Sequence, residues 1–334
     1  MSGLLGYGAC YEASQRADLL LLLGTDFTYE DFLPGARTVQ IDHDAARLGR
    51  RTPLELAVHG DVGATLRAVL PLLDQKDNRS FLDRMLRKHQ STLEHVVSAY
   101  TRDIEHRRPI HPEYAARILD EVAAEDAVFT VDTGMCNVWA ARYITPNGRR
   151  RVIGSFLHGS MANALPHAIG AQLAYPRRQV ISMSGDGGLG MLLGELLTVA
   201  MHDLPVKIIT FNNSALGMIK LEMLVDGLPD YRTDNGNFDY AAIAKAAGIH
   251  SVRIEQPADI RAGLIEALAQ PGPALVDLVT DPNALSVPPR ITAAQVKGFA
   301  IAAGKVVLDG GVGEMLALAR SNVRNIPRPT AVHR

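Results

Sequence analysis

Two turns limit what this chain can fold into more than any other feature of it. One is Gly185-Asp186-Gly187-Gly188 and the other is Asn212-Asn213. Each follows a run that reads as a buried parallel strand, Gln179 to Ser184 before the first and Val206 to Phe211 before the second. The stretch between them, Gly190 to His202, is apolar at helical spacing, so the segment predicts a βαβ unit. Such a unit sets a carboxylate and a side-chain amide at the carboxyl ends of neighbouring strands, where open α/β sheets bind ligands. A hard divalent cation takes oxygen ligands of this kind and completes its shell with phosphate oxygens. Glycines let backbone N–H groups approach those phosphates, and a helix N-terminus favours negative charge. The pattern points to a metal with a diphosphate.

Two other readings use the same residues. Gly185 to Gly190 fits the dinucleotide pattern GxGxxG after a strand. Asp186, however, would repel a bare pyrophosphate, and Asn212-Asn213 stand where a dinucleotide fold wants an acid for the ribose. The plainer alternative is a pair of ordinary Gly/Asn turns. Asp132-Thr133-Gly134 has the form of an aspartic-protease triplet, but it lies in a βα context with no second copy. It reads instead as a turn at the carboxyl edge of the sheet.

The 334 residues suffice for two domains or one large one. A net charge of −2 suggests no nucleic-acid role. Cys10 and Cys136 supply neither a disulfide framework nor zinc spacing. Met1 to Cys10 lacks the basic region of a signal peptide and the longest apolar run, Leu19 to Leu23, is too short for a bilayer, so a cytoplasmic location is the default expectation. The expected fold is α/β. Asp18 to Gly24 reads as a strand followed by a loop to Gly35; Arg37 to Ile41 is a second strand ending at Asp42, which can accept from a ribose or cap a helix. Val58 to Asp61 leads into a helix, Val62 to Leu73. Residues 1–75 thus look like part of one domain, and 76–108, charged and polar, like an interdomain connection with a surface helix. Residues 109–295 read as a parallel-sheet domain, with a helix over Tyr114 to Ala123 and strands over Ala127 to Val131 and Ala274 to Val279. Pro288-Pro289 ends the pattern, and 296–334 remain as a C-terminal tail.

The turns Gly185-Asp186-Gly187 and Asn212-Asn213 resemble the signature of thiamine-diphosphate-dependent enzymes. Trp139-Ala140-Ala141-Arg142-Tyr143, Gly154-Ser155-Phe156, His158 to Ala164 and Leu204-Pro205-Val206-Lys207-Ile208 are similar to the bacterial pyruvate dehydrogenase (quinone), or pyruvate oxidase, branch. The resemblance implies a thiamine-diphosphate-binding domain preceded by part of a Rossmann-like, FAD-binding central domain. It also implies roles for individual residues. Asp186, Asn213 and the carbonyl of Ala215 would bind Mg²⁺. Gly187, Gly188, Ser214, Leu216 and Gly217 would hold the diphosphate. The carbonyl of Gly159 would accept from the 4′-amino group, Ser160 would contact thiamine diphosphate, and Met161 would prop the bend of the cofactor. Glu222 and Met218 would face the substrate and the reactive carbon; a solvated helical glutamate is the alternative for Glu222. His167 and His202 read as structural, and His158 is left open.

The implied reaction is oxidative decarboxylation of pyruvate or another small 2-keto acid, with electrons passing through FAD to a quinone. FAD contacts would come from Ser2, Gly3, Leu4, Leu5, Thr25, Asp26, Phe27, Thr28, Tyr29 and Asp42. Acetolactate synthase chemistry or a non-catalytic cofactor-binding subunit are the alternatives. The family also has an N-terminal domain that grips the aminopyrimidine and supplies a glutamate. No acidic residue here matches that glutamate, so the chain alone is expected to be inactive or nearly so. The complete enzyme is expected to be a dimer or tetramer. The tail carries a short apolar face (Met315, Leu316, Leu318, Ala319) followed by a Pro-containing basic end, which suggests peripheral membrane contact.

Overall fold

Short aliphatic runs alternate with helices punctuated by Gly, Asp and Pro, and every strand pairing between them is parallel. The computed structural model describes residues 5–27, 29–95, 97–102, 104–285 and 292–322. The chain divides into two units, the first ending at His95 and the second holding most of the rest.

The first unit begins with α1 (Cys10–Arg16), β1 (Leu19–Leu23), β2 (Arg37–Asp42) and β3 (Leu56–His59). Its sheet has the order β1-β2-β3, with Leu19 opposite Arg37 and Val39 opposite Leu56. Asp61 accepts from the Ala64 N–H and caps α2 (Val62–Val69). The helix expected to reach Leu73 leaves α geometry after Val69 and ends in a 3₁₀ turn, Leu70–Leu72. Pro71 within that turn has no N–H to continue the ladder. The segment read from sequence as an interdomain connection contains α3 (Ser80–His95), which packs on α1. Met85 is buried, Lys88 pairs with Glu12, and the rings of His89 and Tyr7 lie 5.7 Å apart.

The second unit runs α4 (Pro112–Val122), β4 (Val128–Val131), α5 (Met135–Tyr143), β5 (Arg151–Gly154), α6 (Ala164–Ala174) and β6 (Val180–Gly185). It continues with α7 (Asp186–Met191), α8 (Glu195–Met201), β7 (Lys207–Asn212), α9 (Gly217–Val225), α10 (Tyr240–Ala246), β8 (His250–Ile254), α11 (Ile260–Ala269) and β9 (Ala274–Val279). The six strands lie in the order β5-β4-β6-β7-β9-β8. The middle strands are buried on both faces, as a parallel sheet between helix layers requires. From β4 the chain goes outward to β5, then crosses back to β6 on the other side. The carboxyl ends of β4 and β6 therefore form a topological switch point, the place where such sheets bind ligands. The helix expected over Gly190 to His202 starts earlier, at Asp186, and is broken at Leu192 (φ −123°, ψ 41°) before resuming at Glu195.

The expected tail is part of this unit as far as residue 322. A capping box of Thr292 and Gln295 starts α12 (Ala293–Leu308), and α13 (Val312–Asn322) follows. Leu224, Leu285, Ala302 and Leu318 form a satellite core that ties both helices to α9, with Met315 packed against it. The apolar face expected to meet a membrane thus points partly inward, although Leu316 is exposed. Pro288-Pro289 and the basic end of the tail lie outside the described residues. Among the described residues no helix is long and apolar enough to cross a membrane.

Candidate cofactor site

Asp186 is the first residue of α7 and is 2% exposed. Its Oδ2 accepts from Asn235 Nδ2 at 3.0 Å. Burial pushes its pKa up, opposed by the Asn235 amide and by the backbone N–H groups of Asp186, Gly187 and Asn213. All of these are neutral donors. A buried carboxylate held only by neutral donors is a site that a cation stabilises.

Asn213 follows β7, and its Oδ1 accepts from the Ala215 N–H at 3.1 Å, an Asx turn. Ser214 takes the left-handed conformation this turn requires, with φ 54°. Leu216 N donates to Thr233 O and Asn235 N donates to Ser214 O, each at 2.8 Å. The bonds that fix the loop use the carbonyls of Ser214 and Thr233 and leave that of Ala215 outside the pairing. The donor set that remains is one carboxylate, one amide and one carbonyl, the oxygen chemistry a hard cation takes. Among the described residues no cluster of His, Cys, Asp and Glu offers a rival metal site.

The glycines make room. A Cβ on Gly187 would come within 2.7 Å of Leu216 Cδ2, one on Gly188 within 1.6 Å of Asp132 Oδ2, and one on Gly217 within 3.1 Å of Asn213 Nδ2. Met161 Cε reaches to 3.5 Å from the same point on Gly187, which brings the His158 to Ala164 segment to the first of the two signature turns. Gly159 has φ 71° and donates to Ser155 O at 2.7 Å. Asp132 directly follows β4; burial is the main cause that pushes its pKa up to about 6, against several backbone donors.

These pieces surround one cavity of about 290 Å³. Gly159, Met161, Asp186, Gly187, Gly188, Asn213, Ala215, Leu216, Gly217, Met218 and Glu222 all line it. Ser160 and Ser214 stand beside it: the Ser160 hydroxyl and N–H bond to Ser155 Oγ, and Ser214 shapes the turn. Glu222 is exposed on α9. His167 Nδ1 meets Asn163 Oδ1 at 3.0 Å. Asn212, the partner of Asn213 in the sequence motif, instead donates to Asp277 and to the Phe238 carbonyl in a buried network with Arg253. Sequence reasoning did not reach Asn235, and it met Asn163 and Trp139 inside resemblance motifs without giving either a role. Trp139 also lines the cavity and is 2% exposed. Asn235 lies in Thr233-Asp234-Asn235-Gly236, where turn composition is the one local signal and nothing points to Asp186.

In the first unit Thr25, Asp26, Phe27 and Tyr29 follow β1 and Asp42 ends β2, all at carboxyl ends of parallel strands. Leu5 is buried, while Ser2, Gly3, Leu4 and Thr28 lie outside the described residues. Asp42 is 1% exposed. Its Oδ1 accepts from the Asp44 N–H at 2.9 Å, and its Oδ2 is buried with no hydrogen-bond partner. That orphaned acceptor fits a ligand hydroxyl. Asp26 is held by Arg51, whose hydrogen bond at 3.1 Å lowers its pKa.

Two family profiles match the chain. The profile described as thiamine pyrophosphate enzyme, C-terminal TPP binding domain, matches residues 132–278, and that described as the central domain matches residues 1–69. A thiamine pyrophosphate-containing protein of Bacillus subtilis, YdaP, is 34% identical over 96% of this chain and 55% of its own length. The acetolactate synthase isozyme 1 large subunit of Escherichia coli is 31% identical over 84% of this chain and 50% of its length. Pyruvate oxidase of Lactiplantibacillus plantarum is 30% identical over 80% of this chain and 45% of its length. The chain therefore spans about half the length of these relatives. With two of its domain profiles matched in order, and with the switch-point cavity built from the residues of the first, the chain belongs to the thiamine pyrophosphate enzyme family.

Proposed function

We propose that this chain forms the cofactor-binding part of an enzyme that oxidatively decarboxylates pyruvate or a similar small 2-keto acid and passes the electrons through FAD to a quinone. The observation that carries the cofactor reading is the convergence of Asp186, Asn213 and the Ala215 carbonyl with three close-packed glycines at one switch-point cavity. In this reading those three residues hold Mg²⁺, and backbone N–H groups of Gly187, Gly188 and the 214–217 turn face the diphosphate. The Gly159 carbonyl and Met161 orient the aromatic end. When bound, thiamine diphosphate supplies a carbon nucleophile and an electron sink. Met218 excludes water from the reacting end and Glu222 meets the keto acid at the rim. FAD is assigned to the carboxyl edge of the first unit, with the unpartnered Asp42 oxygen taking a ribose hydroxyl.

Calorimetric titration with thiamine diphosphate tests the cofactor reading. Binding should require Mg²⁺ and quench the fluorescence of Trp139, the single tryptophan of the chain. Asp186→Ala should weaken binding by about 100-fold or more, the scale of a lost charged ligand to a metal. Binding that ignores Mg²⁺, or survives this substitution, overturns the reading.

The near-equal identity to an acetolactate synthase keeps that chemistry as the second reading. The cavity's carboxylates are Asp186, Glu222 and Asp281, and Asp281 is engaged by Ser321 Oγ and the Asn283 N–H. With Asp186 reserved for metal, turnover by this chain alone is expected to be slow or nil. Reduction of a soluble quinone analogue that depends on pyruvate supports the oxidative reading. Acetolactate accumulating without quinone consumption replaces it with the second.

A further inference from the structure

One buried carboxylate beside the cavity has no part in the proposal above. Asp132, 1% exposed, accepts on a single oxygen from the Thr133 N–H at 3.1 Å, the Asn163 N–H at 3.1 Å and the Asn163 side-chain amide at 3.2 Å. That same amide donates to the Ser160 carbonyl at 2.8 Å. Its own oxygen is fixed by His167. The second Asp132 oxygen lies against Gly188, so close that a Cβ there would stand 1.6 Å away. Asp132 therefore touches two segments that are distant in sequence. One is the 159–163 loop with Gly159 and Met161, and the other is the turn with Gly187 and Gly188.

We propose that Asp132 is a positioning residue that sets the spacing between the two halves of the site, the loop at the aromatic end of the cofactor and the turn at its diphosphate end. The proposal rests on the cofactor reading given above. Three N–H donors converge on one oxygen, so the link needs an acceptor oxygen at that position. An isosteric amide keeps that oxygen, whereas alanine releases Asn163 and with it the Ser160 carbonyl. The 159–163 loop is then free to drift while the diphosphate turn, held by its own backbone, stays in place.

Two probes titrated into the full chain separate these halves: thiamine diphosphate with Mg²⁺, and inorganic pyrophosphate with Mg²⁺. Asp132→Ala and Asn163→Ala should each weaken thiamine diphosphate by about tenfold, the scale of one lost buried hydrogen bond. Both should leave pyrophosphate within about threefold of wild type, since its contacts are untouched. Asp132→Asn should retain most of the affinity for both probes. The double alanine variant should lose no more than the worse single variant, because the two residues form one link. Equal losses for both probes, unchanged thiamine diphosphate affinity in both alanine variants, or an Asp132→Asn variant as weak as Asp132→Ala would overturn the proposal. Should Asp132→Ala fail to fold, Asn163→Ala, which removes a side-chain amide alone, decides the matter. A wild-type chain that binds neither probe brings down the cofactor reading, and this proposal with it.

Discussion

At Gly188 the backbone of the first turn of α7 meets the carboxylate that follows β4 with no space between them. Substitution by alanine places a methyl group on Asp132 Oδ2, which three donors prevent from turning away. Gly188→Ala should lower stability by about 1–3 kcal/mol, the range for overpacking a tight site, and abolish measurable cofactor binding. Thermal unfolding and titration of the same sample read both effects. Gly188 and Asp186 were legible because strand, turn and helix N-terminus are local in sequence and their chemistry follows from that order. Asn235 and Asn163 were not legible. Each reaches the site from a segment whose position is set by bonds to distant residues, Asn235 through Ser214 and Asn163 through Asp132. No local pattern encodes such a meeting.

Among the elements, α9 carries most at stake, since it presents Met218 and Glu222 to the cavity on one side and Leu221 and Leu224 to the C-terminal helices on the other. Gly298 of α12 lets the two helices approach: a Cβ there would fall 1.9 Å from the Val225 carbonyl oxygen. Lys305 adds a hydrogen bond to the Gly227 carbonyl at 3.0 Å. Gly298→Ala should cost about 1–3 kcal/mol and loosen α12 from α9. The expected result is faster proteolytic cutting between residues 285 and 308 and weaker cofactor binding. Unchanged cutting and affinity would show that the approach is not needed. The strands were the most readable elements, and Ala274 to Val279 matches β9 at both ends. The helix between the two signature turns was less so, because a break at Leu192 leaves the apolar spacing on either side intact. The tail reads from sequence as a short apolar face for a membrane, since nothing local in it shows that Leu318 and Met315 pack on a cluster shared with α9.

Over the whole molecule the alternation of strand and helix was legible as an α/β fold. The polar run after residue 75 reads as a connection with a surface helix, and α3 is that helix, with Met85 buried against the first unit. Global stability should carry the signature of Glu113. This residue is 1% exposed; Tyr143 donates to one oxygen at 2.6 Å, and the other oxygen is buried without a partner. Burial pushes its pKa from 4.5 to about 7. Below 4.5 both folded and unfolded chains hold the proton, and between 4.5 and about 7 the folded chain alone retains it. Stability contributed by this group is therefore complete at low pH and is lost as the pH rises through that window. The raised pKa of Asp132 acts with the same sign. Chemical denaturation should show wild type losing stability between about pH 4 and pH 7, and Glu113→Gln should flatten the upper part of that slope. An equal slope in both proteins would remove Glu113 from the account.

β1 is one of the two outer strands of its sheet, and Leu19, Leu21 and Leu23 on one of its faces are 44%, 51% and 38% exposed. An open backbone ladder beside a row of leucines is adhesive in water. Handled at high concentration, the protein will therefore tend to stick to itself along this margin, and its solubility will be governed by a part of the molecule remote in sequence from every residue assigned to Mg²⁺ and the diphosphate.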